Sequence, residues 1–194
     1  DPNLMPIKKM NRILSSQIKL FEKETILHIN PPGLEKLRKE IAKIYWDIDC
    51  QVNPDDIIIT TGGLESAIFA LMATCKPGGT VALESPFFTS YGQICEQLGY
   101  KVIEIPSYPD TGICLDVFQY ALEHNKIDAC FVIANFNNPL GSLMPVENKI
   151  KLAEMLANYN IPLIEDDIYG DLHFQNSRPQ PIKTFDKSDN VILC

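Results

Sequence analysis

From residue 55 onward, short apolar runs rich in β-branched residues alternate with longer segments in which apolar residues recur at the period of a helix. The short runs predict strands at 56–60, 80–85, 101–106, 129–134, 161–166 and 190–194. The longer segments predict helices at 63–75, 88–98, 115–124 and 146–159. This alternation predicts an α/β fold, a three-layer α/β/α sandwich with a mostly parallel sheet between two layers of helices.

The first fifty residues do not show this alternation. A single helical stripe of apolar residues follows the turn sequence NPPG, which ends any earlier helix. The stripe is formed by Leu34, Leu37, Ile41 and Ile44. We therefore expect a helical arm over residues 1–50, followed by an α/β body over residues 51–194.

Composition and charge favour a globular protein and exclude several kinds of partner. The chain has 194 residues, of which 45% are hydrophobic, enough for one substantial core. Its net charge of -8 provides no basic surface, so we expect the chain itself to bind neither DNA nor an anionic membrane. The 6 cysteines form no CxxC pair and fall mostly in apolar runs, which favours a cytoplasmic location. No run approaches the roughly 20 apolar residues that cross a bilayer.

Candidate chemistry follows the predicted strands, at the points where they end. In an open parallel sheet, ligands bind beyond the carboxyl ends of the strands, where helix N-termini and loops converge. A glycine turn, an aromatic ring, an amide, a carboxylate and a phenol all fall at such ends. These residues are Gly62, Gly63, Leu64, Phe88, Asn138, Asp166 and Tyr169.

Together these groups match the parts of one cofactor. A glycine turn at a helix N-terminus presents backbone N–H groups to a phosphate. A flat aromatic side chain stacks on a planar ring. A carboxylate beside a ring nitrogen keeps that nitrogen protonated, and an amide with a phenol can bind a ring hydroxylate. Phosphate, planar ring, pyridinium nitrogen and phenolate oxygen together describe pyridoxal 5′-phosphate.

The motifs in their order resemble those of a known family. They run from NPPGLEKLRKEIAK through DIIITTGGLESA, ESPFFTSYG and NFNNPLGSLMP to IPLIEDDIYGDLHF and RPQPIKTFD. The chain resembles the fold-type I, pyridoxal-phosphate-dependent aminotransferases of the class I/II superfamily. Within them it is most similar to the aminotransferase-like domain of GntR-family transcriptional regulators of the MocR type.

The resemblance implies how the cofactor phosphate and ring are held. The backbone N–H groups of Gly63 and Leu64, which follow Thr61 and Gly62, would bind the phosphate. Phe88 would stack on the pyridine ring. Taken alone, Phe88 beside Phe87 is more typical of a core residue, and two glycines in succession are typical of an ordinary tight turn.

The resemblance also assigns the polar atoms of the ring. Asn138 and Tyr169 would bind the ring oxygen O3′, and Asp166 would pair with the ring nitrogen because the D-x-x-Y spacing of the family selects it. Asn135 and Asn137 are expected to be turn formers only. Similarly, we expect Glu165 and Asp171 to be solvated or capping residues.

The chain also departs from the family. The lysine that forms the Schiff base would lie beyond Cys194, as would the smaller C-terminal domain, and a winged helix-turn-helix domain would lie upstream. We therefore expect a truncated domain without transaminase activity of its own. A tyrosine that reaches the phosphate of a neighbouring subunit in relatives would be replaced by His28.

The sequence thus predicts part of a regulator that senses a small amino acid or amine and forms a homodimer. Such a protein would contact DNA only through a domain missing from this chain. A free-standing amino-acid aminotransferase is the second interpretation, and a folding scaffold with an empty site is the third.

Overall fold

The computed structural model describes residues 5–24, 26–27, 30–174 and 176–194. The prediction for His28 lies outside the described residues. The helices are α1 (Ile7–Leu20), α2 (Glu35–Trp46), α3 (Gly63–Thr74), α4 (Thr89–Gln97), α5 (Leu115–His124) and α6 (Val146–Tyr159). The strands are β1 (Thr80–Ser85), β2 (Lys101–Tyr108), β3 (Gly112–Ile113), β4 (Ala129–Val132), β5 (Leu163–Glu165) and β6 (Val191–Leu193). Short 3-10 turns occupy Pro54–Asp56 and Ile182–Phe185.

The strands form one mixed sheet in the order β3-β2-β1-β4-β5-β6. All neighbouring pairs are parallel except β2 and β3, which are antiparallel. Consequently the carboxyl ends of β1, β4 and β5 lie side by side, since Leu83 pairs with Phe131 and Phe131 pairs with Ile164. The predicted α/β fold with a mostly parallel sheet is confirmed.

Alternate residues of β1 serve the two faces of the sheet. Ala82 packs in one apolar cluster with Phe118 of α5 and Leu152 of α6. Val81 and Leu83 pack in the other cluster, together with residues of α3 and α4. Because both faces are covered by helices, the central strands are buried on both sides and read as nearly continuous apolar runs.

The prediction of a strand at 56–60 is wrong. Pro54–Asp56 forms a 3-10 turn, and residues 57–60 are not in a strand. Ile58 is 68% exposed, whereas the Ile59 N–H donates to the Pro32 carbonyl at 2.9 Å. Among the described residues no strand runs beside this segment, so its β-branched residues find no ladder to join.

The N-terminal helices contribute little to the core. No residue of α1 is buried, although its apolar residues recur on one side. In α2, Arg38 and Ala42 are buried, and Arg38 donates to the Pro54 carbonyl at 2.5 Å and to Asp55 at 3.1 Å. None of the described helices is both long enough and apolar enough to cross a membrane.

Candidate functional site

The candidate site is built on the loops that leave β4 and β5 and on the first turns of α3 and α4. Asp166 directly follows β5, and its N–H donates to the carbonyl of Val132 at the end of β4 at 3.0 Å. This bond continues the pairing of the two strands by one residue. The backbone of Asp166 is therefore fixed by the sheet, and the residue is only 4% exposed.

Both oxygens of the Asp166 carboxylate accept hydrogen bonds. The Ile168 N–H donates to Oδ1 at 3.0 Å, and the Tyr91 hydroxyl donates to Oδ2. Burial raises the pKa of Asp166, while these two donors act in the opposite direction. Each oxygen keeps a lone pair beyond the one in use, so the carboxylate can accept a further proton-bearing group.

The side chains of Asn138 and Tyr169 are in contact. The Asn138 amide donates to the Tyr169 phenol oxygen at 3.0 Å, which joins the loop after β4 to the loop after β5. A phenol that accepts one hydrogen bond still has its own O–H to donate. The pair therefore offers donors of two kinds on one side of the site.

Phe88 stands at the N-cap position of α4 and is 36% exposed. Its ring meets the ring of Tyr91 edge-on, at 5.7 Å between centroids and 78° between planes. The Phe88 ring is thus in contact with Tyr91 while part of it stays exposed. That geometry suits stacking with a planar ligand and does not fit the alternative of a plain core residue.

The glycine turn opens α3. Gly62 has a φ of 155°, which favours glycine, and its carbonyl accepts the first helical hydrogen bonds from Glu65 and Ser66. The N–H groups of Gly63 and Leu64 belong to the first turn and have no acceptor within the helix. Glu65 reaches back and accepts the Thr61 N–H at 2.6 Å, so an anionic oxygen already lies at this turn.

The Cys194 thiol is influenced by a residue of α3 and by the Asp166 carboxylate. Burial raises the pKa of its thiol to about 11, against a hydrogen bond with Ser66 of α3, and the Asp166 carboxylate raises it as well. The rings of Tyr91 and Phe131 and the side chain of Tyr169 belong to or pack against the same apolar cluster. The structure therefore joins Phe88 to Asp166 through Tyr91, and Asn138 to Tyr169. The glycine turn lies at the start of α3, and no contact joins it directly to these residues in the part of the chain that the structure describes.

A buried charged network lies behind the site. Asn135 is fully buried; its amide donates to Asp167 at 2.8 Å, and its oxygen accepts from Lys149 at 2.6 Å. Arg178 donates to the other Asp167 oxygen at 2.7 Å. Burial lowers the pKa of Lys149, while the carboxylates of Glu165 and Asp167 oppose that change. The expectation that Asn135 is only a turn former is therefore wrong.

Glu165 and Asp171, which were expected to be solvated or capping residues, both accept hydrogen bonds. Glu165 is fully buried rather than solvated, and its oxygens accept the N–H groups of Ile182 at 2.7 Å and Lys183 at 3.1 Å. It thereby caps the start of a 3-10 turn far along the chain. Asp171 is exposed and accepts from the Arg178 Nε at 2.7 Å.

Sequence analysis missed two further residues of the site. Tyr91 is identified as part of the site only by its contact with Asp166. The one signal in the sequence is that Tyr91 comes three residues after Phe88, which places both at the start of one helix. Glu84, near the end of β1, is 3% exposed and accepts the Ile133 N–H at 2.5 Å. Burial raises the pKa of Glu84 to about 7.

The comparison with protein families decides the affiliation. The sequence pattern of the family described as aminotransferase class I and II matches residues 6–194. The chain belongs to this family. The predicted resemblance is thereby confirmed for the superfamily as a whole.

Individual relatives of the aminotransferase family include transcriptional regulators. The uncharacterized HTH-type transcriptional regulators YdcR and YjiR of Escherichia coli are 35% and 37% identical over 194 residues, 100% of this chain. The chain spans 42% and 40% of the lengths of those proteins. The crystal structure of an archaeal alanine:glyoxylate aminotransferase has a TM-score of 0.91 at 26% identity, covering 100% of this chain and 49% of that one.

Proposed function

We propose that this chain is the cofactor-binding part of an aminotransferase-like domain in a GntR/MocR-type transcriptional regulator, and that it holds pyridoxal 5′-phosphate. Residues 51–194 would form part of the cofactor-binding domain and residues 1–50 a helical arm. The observation that carries the proposal is the buried Asp166 carboxylate, oriented by two donors at the strand edge where Asn138 and Tyr169 meet.

The first turn of α3 would hold the phosphate. Its free N–H groups at Gly63 and Leu64, together with the positive end of the helix, favour a doubly charged oxyanion. Glu65 accepts the neighbouring Thr61 N–H, so that donor is already in use and the phosphate would be held by Gly63 and Leu64. Phe88 would cover one face of the ring.

The remaining groups would bind the polar atoms of the ring. Asp166, as a carboxylate, would accept the N–H of the pyridine ring and so keep that nitrogen protonated. The Tyr169 hydroxyl, oriented by the Asn138 amide, would donate to the ring oxygen. When bound, the cofactor supplies an electron-withdrawing ring for chemistry at an amino group.

The wider protein is inferred from its relatives. Two HTH-type regulators align with the whole chain, which supports a protein that contacts DNA through a helix-turn-helix domain rather than through this acidic chain. The effector would be a small amino acid or amine, and the protein a cytoplasmic homodimer. The similarity to an aminotransferase at 26% identity supports a free-standing aminotransferase as the second candidate.

Cofactor binding is tested with pyridoxamine 5′-phosphate, the amine form, because no lysine is needed to hold it. Calorimetry should show saturable binding to the chain, and Asp166→Asn should weaken it about tenfold or more, since a hydrogen bond to a charged group is lost. Asp110→Asn, on an exposed turn, is the matched control and should leave the affinity unchanged. Equal affinity in Asp166→Asn and the unsubstituted chain would contradict the assigned site.

DNA binding and amino-acid turnover distinguish a regulator from an enzyme, and both can be measured on any protein that contains this chain. A regulator should bind promoter DNA with an affinity that changes when the cofactor and an amino acid are added. An enzyme should turn over an amino acid with a 2-oxo acid and show no such DNA binding.

A further inference from the structure

Tyr91 belongs to the first turn of α4 and reaches Asp166 across 75 residues of sequence. Its hydroxyl donates to Asp166 Oδ2, while the Ile168 N–H donates to Oδ1 at 3.0 Å. Among the described residues, Tyr91 is thus the side chain that donates a hydrogen bond to this carboxylate. The second donor, the Ile168 N–H, belongs to the backbone of the loop that contains Asp166.

The ring of Tyr91 is locked in place. It is 5% exposed, and its centroid lies 4.2 Å from that of Phe131 on β4 and 5.7 Å from that of Phe88. A ring held by aromatic neighbours on two sides has little rotamer freedom, so its hydroxyl stays at the carboxylate. The same helical turn therefore presents the stacking ring of Phe88 and fixes the partner of Asp166.

In the pair of Tyr91 and Asp166, the phenol is the hydrogen-bond donor and the carboxylate is the acceptor. Burial raises the pKa of the Tyr91 phenol, and the Asp166 carboxylate raises it further, so Tyr91 keeps its proton and acts as a donor. A neutral donor stabilises the carboxylate form of Asp166 without adding a charge to the site. Among the described residues, Cys194 after β6 and Tyr169 also raise the pKa of Tyr91, and the Asp166 carboxylate in turn raises the pKa values of Glu84 on β1 and of Cys194.

We propose that Tyr91 is a positioning residue for Asp166, which holds the carboxylate in one orientation and in its ionised form so that it can accept the N–H of a heteroaromatic ring. This role rests on the proposed cofactor site. The contrasting interpretation is that Tyr91 fills the core and that its hydroxyl only satisfies its own hydrogen-bonding need.

Tyr91→Phe separates the two interpretations because it keeps the ring and removes the hydroxyl. The control is Tyr100→Phe, another buried tyrosine, whose hydroxyl donates to the Cys75 carbonyl at 2.9 Å, away from Asp166. Carbon-13 NMR of the side-chain carboxyl follows the pKa of Asp166 in the cofactor-free chain, which also separates its titration from that of Glu84. Tyr91→Phe should raise the pKa of Asp166, and Tyr100→Phe should leave it unchanged.

Ligand binding gives the second readout. Tyr91→Phe should weaken the affinity for pyridoxamine 5′-phosphate about tenfold, and nitrogen-15 NMR of the labelled ligand should show its ring nitrogen losing the proton at a lower pH. A purely structural role would lower the unfolding temperature in both tyrosine variants and change neither readout. Should Tyr91→Phe fail to fold, 3-fluorotyrosine at position 91 serves instead, and its fluorine-19 resonance should titrate together with the Asp166 carboxyl.

The outcomes for the two proposals differ. Unchanged values of the Asp166 pKa and of the affinity in Tyr91→Phe, with binding lost in Asp166→Asn, would overturn the role of Tyr91 and leave the cofactor site standing. A fluorine resonance that does not follow the carboxyl would overturn that role as well. If the unsubstituted chain binds no pyridoxamine 5′-phosphate while Tyr91→Phe still raises the Asp166 pKa, the cofactor site fails and the coupling of the two residues remains.

Discussion

The Asn138 amide nitrogen lies 3.0 Å from the Tyr169 phenol oxygen and donates to it. The two residues belong to loops that follow different strands, so the bond fixes one loop relative to the other. Because the phenol oxygen accepts from Asn138, the phenol hydrogen is directed elsewhere. The two side chains therefore act on a ligand as a unit rather than as independent donors.

Coupling between these residues follows from that relationship. Asn138→Ala and Tyr169→Phe should each weaken the affinity for pyridoxamine 5′-phosphate, by about 5- to 10-fold, through loss of a donor. The double variant should lose less than the product of the two effects, with a coupling of about 0.5–1.5 kcal/mol. Calorimetric titration of the four proteins measures this cycle. Asn148→Ala, on α6, is the control, and strictly multiplicative losses would contradict the unit.

The glycine turn should matter for the phosphate rather than for the ring. Gly62→Ala places a side chain at a φ of 155° and should shift the N–H groups of the first turn of α3. We expect affinity for pyridoxamine 5′-phosphate to fall about tenfold while the weaker binding of phosphate-free pyridoxamine changes little. Gly78→Ala controls for backbone strain. Gly78 has a φ of 82° and lies on the turn before β1, at the amino ends of the parallel strands. An equal loss for both ligands would place the phosphate elsewhere.

Much of the site could be predicted because its residues come in short motifs at strand ends. Asn138, Asp166 and Tyr169 each follow a strand whose apolar run is visible in the sequence, and parallel pairing brings such ends together. Their part in cofactor binding stays a prediction. Phe88 follows the same rule, since it stands at the start of α4 after β1. The glycines do open α3, although the segment before them is not a strand of the sheet.

The residues that escaped prediction owe their roles to tertiary contacts. Tyr91 and Asp166 lie 75 positions apart, and neither periodicity nor local spacing relates them. Asn135 resembles any polar residue of an asparagine-rich turn until Lys149 and Asp167 are placed beside it. The strand prediction for residues 56–60 is wrong for a related reason. Residues with high strand propensity form no strand unless another strand lies beside them to share backbone hydrogen bonds, and none of the described strands does.

The network around Asn135 should be a stability determinant. Asn135→Ala would leave the Lys149 ammonium and the Asp167 carboxylate each short of a buried partner, so we expect a loss of about 2–4 kcal/mol in the free energy of unfolding. Urea denaturation measures it, with an unchanged m-value showing that only stability has altered. Asn125→Ala removes an exposed amide that bonds its own helix, and should cost far less. Similar losses in the free energy of unfolding of both variants would show that the network around Asn135 is not a special determinant of stability.

Glu84 should make stability depend on pH near neutrality. Burial raises its pKa from 4.5 to about 7, so the folded protein holds this proton more tightly than the unfolded chain does. Ionisation therefore opposes folding, and the contribution of Glu84 to stability falls as the pH rises from about 4.5 to about 7. Glu84→Gln keeps an oxygen that can accept the Ile133 N–H and cannot ionise.

The comparison of Glu84→Gln with the unsubstituted chain isolates this titration. The difference in the free energy of unfolding should move in favour of the glutamine variant by about 3 kcal/mol between pH 4 and pH 8, and level off above the raised pKa. Urea denaturation at a series of pH values measures that difference. Asn148→Ala, which removes an uncharged side chain on α6, is the control and should show a flat difference over the same range. A flat difference for Glu84→Gln as well would mean that this carboxyl titrates normally, and that the link between β1 and the Ile133 backbone does not depend on its proton.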